Sequence, residues 1–370
     1  MDQPSISLCM IVRNEEKNLP RCLSSVQPIV DEIIIVDTGS TDDTIAIAKT
    51  FGAKVIQMPW QDSFSDARNR GLDEATGDWI LWLDADEELD VNGANKLKEL
   101  LTRDAIREQG IEGLQFILCS HLERGMECLV LHRMVRNRPQ YRFEGRVHEQ
   151  IMPSMLRFKP NLILAQVDIH IHHYGYLSQN ATRQEKAQRN ISLLLQAMAE
   201  HPDYPIYPYY LGIELCRIQS FEEALNHFNA FLNRSPGLPK PLVASAHKYR
   251  LLALAEMKRY SDLIRHSIES IALYPGFTDL YHLMALGCRA TGESDKAIQL
   301  LRKALSTGPA EEYPTIAGYG TFLTCLELGS AYSTAENPQE TDLYFTLASL
   351  MVGNAGVRFR EKANASSGLS

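Results

Sequence analysis

Long apolar runs, a secretory leader and an excess of positive charge are all lacking in this 370-residue chain. No uncharged apolar stretch approaches the roughly 18 residues that a membrane-crossing helix needs, and the first residues do not follow the pattern of a signal peptide. Lysine and arginine total 37 against 46 acidic residues, which gives a formal net charge of −9. Because this balance favours neither a nucleic-acid backbone nor an anionic membrane surface, the sequence predicts a cytoplasmic protein with no nucleic-acid partner and no transmembrane segment.

Paired cysteines are lacking as well. The seven cysteines are odd in number and scattered, and none forms a Cys-x-x-Cys pair. This pattern argues against a disulfide framework and against a zinc site. A reducing compartment is the simpler interpretation.

The glycine-rich loops of several nucleotide-binding families are also missing. The chain has no GxGxxG after a predicted strand, no Walker-type GxxxxGK motif and no GxSxG elbow, so dinucleotide-binding, P-loop and α/β-hydrolase sites are not indicated. The first strand–helix loop, VRNEEKN, contains no glycine. That absence counts against sugar nucleotidyltransferases, whose phosphate loop is rich in glycine.

What is present in the first ninety residues is an alternation of β-rich and helical segments. The predicted strands are 6–12, 32–37, 54–58 and 79–85, and the predicted helices are 15–26, 44–52 and 63–77, the last closed by Gly77. Such alternation predicts a parallel sheet wrapped by helices. Ligands bind at the carboxyl ends of the strands in sheets of this kind, and both Asp37 and the acidic run DADEE (84–88) follow strands directly.

Residues 111 to about 175 change character and read as further strands with hairpin links. The predicted strands are 114–121, 128–137, 141–151 and 164–176. Period-two alternation and β-branched residues indicate this state. We expect these strands to complete the sheet, which would then be mixed.

From about residue 180 the pattern becomes helical and repeats. Pro236, Pro275 and Pro309 are spaced by 39 and 34 residues, and the second interval is the tetratricopeptide (TPR) period. Two repeats carry signature residues: Leu211, Gly212, Ala224, Phe228 and Pro236 in one, and Tyr281, Gly292, Ala297, Ala304 and Pro309 in the other. The segment between them, 245–275, fits the pattern poorly, and a helical pair within 322–353 would cap the array.

These patterns divide the chain into four parts. The predicted division is an α/β domain at 1–178, a connecting helix at 179–200, TPR-like helical repeats at 201–352 and a disordered tail at 353–370.

Asp84-Ala85-Asp86 places two carboxylates on one side of a turn just past a strand, close enough to share a divalent cation. Oxygen ligands suit Mg²⁺ or Mn²⁺ rather than zinc. A DxD motif alone is more often a surface loop or a helix cap. Its position at a strand end is what favours a metal site.

Four blocks together resemble a known family. MIVRNEE, IIIVDTGSTDDT, ARNRGLDEATG and DWILWLDADEEL occur in the order and at the spacing of the family 2 inverting GT-A glycosyltransferases, over about the first 90 residues. The resemblance implies an α/β GT-A fold with a Rossmann-like mixed sheet, here followed by an all-α TPR solenoid. It further implies a nucleoside-diphosphate sugar as donor, uridine-linked if Asp37 accepts from the base.

The resemblance also assigns roles to individual residues. The end of the first strand (Ile11, Val12, Arg13) and Asp37 would hold the base and ribose, although family members often have an aromatic residue in place of Arg13. Arg68 would lie near the base or the diphosphate. In the acidic turn, which includes Ala85, Asp84 would touch ribose or sugar hydroxyls and Asp86 would coordinate Mn²⁺ or Mg²⁺.

An inverting transfer needs a base to accept the acceptor's proton. FEGRVHE (143–149) resembles a segment of relatives with TPR repeats, which implies Glu149 as the base and His148 near the metal or acceptor. The alternatives are a salt-bridged surface glutamate and a structural histidine.

The strand DIHIHHYGY (168–176) contributes three further histidines. Alternation places His170 and His172 on one face and His173 on the other. Similarity to a late H-Y-G-Y segment of relatives points to His173 first, and His172 second, as a further metal ligand. Arg133 and Arg136 could face the diphosphate, but exposed strand cations are the plainer interpretation.

Two classes of function remain open. The first is a metal-dependent glycosyltransferase, and the second is a non-catalytic TPR scaffold with a degenerate GT-A domain. The presence of Asp37, Asp84 and Asp86 favours the enzyme. TPR surfaces hold extended peptides, and bacterial peptide S/O-glycosyltransferases share this arrangement, so a peptide or protein acceptor is expected, with a glycan or lipid-linked acceptor as the alternative. The repeats could equally serve homodimerisation.

Overall fold

A computed structural model describes residues 4–102, 106, 109–122, 125–175, 180–310 and 312–365. The chain divides into two compact units, Met1–His201 and Pro202–Ser370. Within the described ranges no helix has the length and apolar character required to span a bilayer.

In the described part of the first unit, eight strands form one mixed sheet. Its order is β3-β2-β1-β4-β7-β6-β8-β5. The strands are β1 (Ile6–Val12), β2 (Glu32–Asp37), β3 (Lys54–Gln57), β4 (Trp79–Trp82), β5 (Glu87–Leu89), β6 (Ile111–Leu122), β7 (Gly125–Arg136) and β8 (Ile163–His173). The first four strands are mutually parallel, as their alternation with helices predicts. From β4 to β7 and from β7 to β6 the neighbours are antiparallel, whereas β6 and β8 run parallel.

Six helices of the described residues belong to this unit. They are α1 (Leu19–Val26), α2 (Thr44–Thr50), α3 (Phe64–Leu72), α4 (Val91–Thr102), α5 (Met152–Phe158) and α6 (Asn180–Glu200). Helix α1 buries the four apolar residues that recur at helical spacing, Leu19, Cys22, Leu23 and Val26. Helix α3 begins where the Ser63 side chain accepts a hydrogen bond from the Asp66 N–H, a cap that fixes its start.

Two sequence expectations for this unit are wrong, and one strand was not expected. Residues 141–151 form a loop closed by a single bridge, Glu144 to Gln150, and not a strand. The predicted helix 63–77 ends at Leu72. The short strand β5, which directly follows the acidic turn and pairs with β8, was not expected.

The second unit consists of helical pairs. The helices are α7 (Tyr207–Arg217), α8 (Phe221–Asn233), α9 (Lys240–Glu256), α10 (Tyr260–Leu273), α11 (Thr278–Ala290), α12 (Ser294–Thr307), α13 (Phe322–Thr334) and α14 (Pro338–Ala365). At Gly212 a Cβ would lie 2.6 Å from the Phe228 ring, so glycine permits the close packing of α7 on α8. The segment 245–275, which fits the repeat pattern poorly, nevertheless lies in a pair, α9 with α10. Helix α14 continues to Ala365, whereas a disordered tail is predicted from residue 353; residues 366–370 lie outside the described part.

The connection between α12 and α13 carries a two-residue strand, β9 (Thr315–Ile316), and packs on the first helices of the pairs. Lys248 of α9 donates to the Pro314 carbonyl at 2.9 Å. Asp279 of α11 accepts from the Thr315 hydroxyl and from the Ile316 N–H, the latter at 3.4 Å. The Lys248 and Asp279 side chains are nearly fully buried and 3.3 Å apart, so an ion pair holds the backbone of this segment.

Candidate active site

Three neighbouring parallel strands bring their carboxyl ends to one edge of the sheet. Val12 ends β1 directly beside Asp37, which ends β2, and the acidic turn follows β4 on the other side of β1. Val12 is buried, Ile11 is half-buried and Arg13 is exposed. Ile11, Val12, Arg13, Asp37 and the acidic turn therefore lie along a single edge, as expected, whereas Arg68 lies on helix α3.

Asp37 is 2 % exposed and anchors the turn after β2. Its Oδ2 accepts the N–H groups of Gly39 and Ser40, each at 3.1 Å, and its Oδ1 accepts the Ser40 N–H at 3.3 Å. Gly39 has a φ of +109°, a conformation that favours glycine. A carboxylate has about four lone-pair sites, so these bonds leave one on Oδ1 for a ligand.

Glu87 fixes the conformation of the acidic turn through hydrogen bonds with Asp84. The Asp84 N–H donates to Glu87 Oε2 at 2.9 Å, and the Glu87 N–H donates to the Asp84 carbonyl at 3.0 Å. Glu87 is 1 % exposed and is paired with Arg133. Arg133 is thus a buried partner of Glu87 rather than an exposed strand cation. Arg136 also differs from that expectation, because its guanidinium packs 4.2 Å over the Trp79 ring.

Arg68 joins the acidic turn to the loop that carries the predicted base. Its Nη2 donates to Asp84 Oδ1 at 2.9 Å and its Nε donates to Glu149 Oε1 at 2.5 Å. The Arg68 side chain is 10 % exposed. Burial opposes its charge, but Glu149 and Asp84 outweigh burial and raise the pKa of Arg68 above its ordinary value. Its third nitrogen, Nη1, is buried and has no hydrogen-bond partner among the described residues.

The electrostatics of Asp84 follow from the same contacts. Burial raises the pKa of the Asp84 carboxyl, but the nearby guanidinium groups of Arg68 and Arg133 outweigh that effect and lower the pKa to about 2. The side chain nevertheless remains 41 % exposed. Asp84 is therefore an ionised acceptor that a ligand can reach.

The loop 143–149 is held against α3 by Asn69. The Asn69 amide accepts the Phe143 N–H and donates to the Phe143 carbonyl, both at 2.9 Å. The Phe143 ring lies 5.2 Å from the Trp82 ring and 5.4 Å from the Arg68 guanidinium. Within the loop, His148 is half-buried with a φ of +53°. These contacts place Glu149, whose side chain is 11 % exposed, next to Arg68.

Asp86 and His173 meet at the end of β8. Asp86 Oδ1 lies 3.6 Å from His173 Nε2, and the Ser120 hydroxyl lies 3.3 Å from His173 Nδ1. Burial lowers the pKa of His173, but Asp86 outweighs burial, so the net shift is upward. A Cβ on Gly175 would collide with the Asp86 carboxylate and lie 2.7 Å from His173 Nε2. A larger residue at position 175 would therefore require the Asp86 or His173 side chain to shift.

His172 lies elsewhere. Its Nδ1 is 3.2 Å from His121 Nε2, and His121 stacks on Tyr174 at 4.8 Å. Because neighbouring residues of a strand face opposite sides, the structure brings His173, and not His172, to Asp86. In the described part of the chain no group of three or more His, Cys, Asp or Glu side chains could by itself hold a metal ion.

Comparisons with known proteins show which family the chain resembles. The model for glycosyl transferase family 2 matches residues 7–106. A TPR repeat-containing protein from Synechococcus elongatus is 35% identical over 318 residues, which cover 82% of this chain and 76% of that protein. The chain belongs to glycosyltransferase family 2.

Two further similar proteins are a glycosyltransferase and a protein solved with a nucleotide sugar. The SPbeta prophage-derived glycosyltransferase SunS of Bacillus subtilis is 29% identical over 236 residues, 63% of this chain and 54% of SunS. TarS of S. aureus, solved in complex with UDP-GlcNAc, is 16% identical with a TM-score of 0.41, over 72% of this chain and 91% of that chain.

This family 2 glycosyltransferase has site residues that sequence reasoning did not single out. Asn69 stands beside Arg68 in ARNRG, and Glu87 is the fourth residue of DADEE, so both lie in quoted motifs without an assigned role. Ser120 has no comparable signal in the sequence, whereas Gly175 lies within the H-Y-G-Y segment. Each acts on a predicted residue: Asn69 on the loop of Glu149, Glu87 on the turn of Asp84, and Ser120 and Gly175 on His173.

Proposed function

We propose that this enzyme is a metal-dependent inverting glycosyltransferase that moves a sugar from a uridine-diphosphate sugar to a peptide or protein acceptor. The observation that carries the proposal is the position of Arg68, whose guanidinium joins Asp84 of the acidic turn to Glu149 of the loop 143–149. The Arg68 guanidinium therefore lies between the acidic turn, which would hold the donor, and Glu149, which would serve the acceptor.

Donor recognition is assigned to the strand-end edge. Asp37 would accept the uracil ring N–H at the remaining lone pair of Oδ1, with the backbone of Ile11, Val12 and Arg13 alongside. Because Asp37 is buried and fixed by two backbone N–H groups, it needs no rearrangement to do so. Asp84, ionised and partly exposed, would accept from ribose or sugar hydroxyls.

A divalent ion fits Asp86 and His173. Two cis ligands of an octahedral ion, each at about 2.1 Å, stand about 3 Å apart, and the observed 3.6 Å is close to that separation. Ser120 orients the imidazole through Nδ1, which leaves Nε2 toward Asp86. Two protein ligands suffice because substrate phosphates complete such shells. When bound, Mn²⁺ or Mg²⁺ supplies Lewis-acid stabilisation to the leaving diphosphate.

Arg68 and Glu149 supply the protein's own chemistry. The buried Nη1 of Arg68 would donate to a diphosphate oxygen, the hydrogen bond it does not make within the described chain. Glu149 would accept the acceptor's proton as the new glycosidic bond forms on the sugar face opposite the diphosphate. His148, one residue earlier in the same loop, would contact the acceptor.

The repeat unit supports a peptide acceptor. It already holds one extended segment of its own chain, Pro314–Ile316, through backbone contacts to Lys248 and Asp279. Faces built from the first helices of TPR pairs can hold extended peptides in this way. A peptide acceptor would use the same kind of contact.

A transfer assay tests the proposal. The purified protein is incubated with UDP-, GDP- and dTDP-sugars, with Mn²⁺ or with chelator, and with peptide, glycan or lipid-linked acceptors, and products are identified by mass spectrometry. We expect UDP-sugar turnover that the chelator abolishes and that Mn²⁺ restores. Transfer to glycan or lipid acceptors alone would overturn the peptide assignment, and turnover that resists the chelator would overturn the metal assignment.

The assignment of the base has a matched control in the same loop. Glu149→Gln should lower transfer by about 10²- to 10⁴-fold, with donor affinity changed little. Glu144→Gln removes an exposed carboxylate that pairs with exposed Arg157, and should leave transfer unchanged. Equal transfer rates in the two variants would refute the role of Glu149.

A further inference from the structure

Two cysteines that are separate in sequence face each other across the β6–β7 hairpin. Cys119 and Cys128 are directly opposite in register, and their sulfur atoms are 3.2 Å apart. Residues directly opposite on antiparallel strands have Cα atoms about 4.5 or 5.5 Å apart. Both separations lie within the range of about 4.4 to 6.8 Å that a disulfide tolerates.

We propose that Cys119 and Cys128 are a reversible modification site that closes to a disulfide under mild oxidation. A disulfide has its sulfurs about 2.05 Å apart, so the two must approach by about 1 Å. Side-chain rotation at two residues can supply that movement while the strand register stays as it is. The inference does not depend on the proposed function.

Burial decides the order of events. Cys119 is 2 % exposed, whereas Cys128 is half-exposed, so an oxidant in solution reaches Cys128 first. The hydrogen bond to Cys128 and burial both raise the pKa of the Cys119 thiol well above its ordinary value. Cys119 therefore acts second, as the resolving thiol, once the Cys128 sulfur has been modified.

The chemistry balances with glutathione disulfide as the oxidant. The Cys128 thiolate attacks one sulfur of glutathione disulfide and expels one glutathione thiolate. Cys119 then loses its proton to water and attacks the Cys128 sulfur, and the second glutathione leaves with the bonding electron pair. The protein gives up two protons and two electrons, and glutathione disulfide becomes two thiols.

The cysteine pair lies close to the residues that contact the two histidines of β8. Cys119 immediately precedes Ser120, whose hydroxyl contacts His173, and His121, which contacts His172. A bond at Cys119 would therefore tie β6 to β7 one residue from Ser120, which contacts His173, and two residues from His121, which contacts His172.

Mass spectrometry of the full-length protein tests the proposal. After incubation with glutathione disulfide, the wild type should lose two hydrogen atoms, and a tryptic digest without reductant should contain the two cysteine peptides linked, since Arg124 separates them in sequence. Dithiothreitol should reverse both changes. Cys119→Ser should instead accumulate one glutathione on Cys128, because no resolving thiol remains.

Two further variants complete the design. Cys128→Ser should show neither the mass loss nor an adduct at Cys119. Cys216→Ser removes a half-buried cysteine of helix α7 and should leave the Cys119–Cys128 disulfide unchanged. Native folding of each variant is checked by tryptophan fluorescence for the first unit and by helical circular dichroism for the second. A wild type that keeps both thiols, or that carries a stable glutathione on Cys128, would overturn the proposal.

Discussion

The side-chain amide of Asn69 makes both backbone hydrogen bonds of Phe143, one as acceptor and one as donor, each 2.9 Å long. Residue 69 lies on helix α3, whereas residue 143 opens the loop that ends in Glu149. This exchange takes the place of strand pairing for the loop. The position of Glu149 beside Arg68 thus depends on an amide group that touches neither side chain through a hydrogen bond.

Replacing Asn69 by alanine should therefore lower both the rate of transfer and the stability of the protein. Loss of two hydrogen bonds costs about 1 to 3 kcal/mol of unfolding free energy, and a loop displaced by about 1 Å lowers turnover by about 10²-fold. Steady-state kinetics and denaturant unfolding measure the two effects. Asn137→Ala is the matched control, because Asn137 also ties backbone carbonyls, those of Ala75 and Gly77. It should lose similar stability and keep its turnover.

Gly175→Ala should weaken metal-dependent activity. The added methyl group would collide with the Asp86 carboxylate and His173 Nε2, so the two groups must separate. We expect the Mn²⁺ concentration for half-maximal turnover to rise by about 10- to 100-fold, the range seen when groups that orient metal ligands are changed. Gly276→Ala, where a Cβ would meet nothing within 4 Å, should have no effect. An unchanged Mn²⁺ requirement in Gly175→Ala would contradict the assignment of Asp86 and His173.

Glu112 should make the first unit sensitive to acid. Burial opposes its charge, but hydrogen bonds from Arg138, Lys159 and Tyr141 outweigh burial and lower the pKa of its carboxyl from 4.5 to about 2. A lowered folded-state pKa means that this stabilisation is complete above pH 4.5 and is lost as the pH falls toward 2. The Glu112→Gln variant should lack this stabilisation, which amounts to a free energy of unfolding on the order of 2 kcal/mol.

The three tryptophans, Trp60, Trp79 and Trp82, all lie in the first unit, so their fluorescence reports its unfolding by denaturant. The stability difference between wild type and Glu112→Gln should be constant from pH 5 to pH 7 and shrink toward pH 2. A difference that grows as the pH falls would have the wrong sign for a lowered carboxyl pKa.

The Lys248–Asp279 pair should stabilise the second unit. Asp279→Asn leaves the buried Lys248 without its counter-charge, and breaking such a pair costs about 3 to 5 kcal/mol. Loss of helical circular dichroism under denaturant, separated from the tryptophan signal of the first unit, measures the effect. Lys296→Gln breaks a pair with Glu293 in which both side chains are 43 % exposed, and should cost less than about 1 kcal/mol. Similar losses in the two variants would show that Asp279 does not anchor the segment 314–316.

Strands β1 and β2 could be predicted to the residue because each is a buried apolar run that ends at a turn. The loop 141–151 could not, although its letters alternate. Its backbone partners are side chains such as Asn69 and Ser154, and Gly145 and His148 have positive φ values of +99° and +53°. Local pattern carries no information about such partners.

The candidate site likewise contains residues that the sequence indicates and contacts that it does not. Asp37 and Asp86 could be proposed from the sequence because a resemblance assigns them and each follows a strand end. The contact of Arg68 with Glu149 spans 81 residues, and the burial of Arg133 on Glu87 spans 46. Only the fold brings such residues together, so no window of sequence shows either contact.

Strand β5 is three residues long, yet its pairing with β8 sets Glu87 opposite His173 and Glu88 opposite His172. A slip by one residue would turn every side chain of the strand to the other face. Here such a slip would exchange one imidazole for another, since the two histidines are adjacent. The doubled histidine would thus keep an imidazole beside Asp86 after a pairing error that would remove it from a strand with a single histidine.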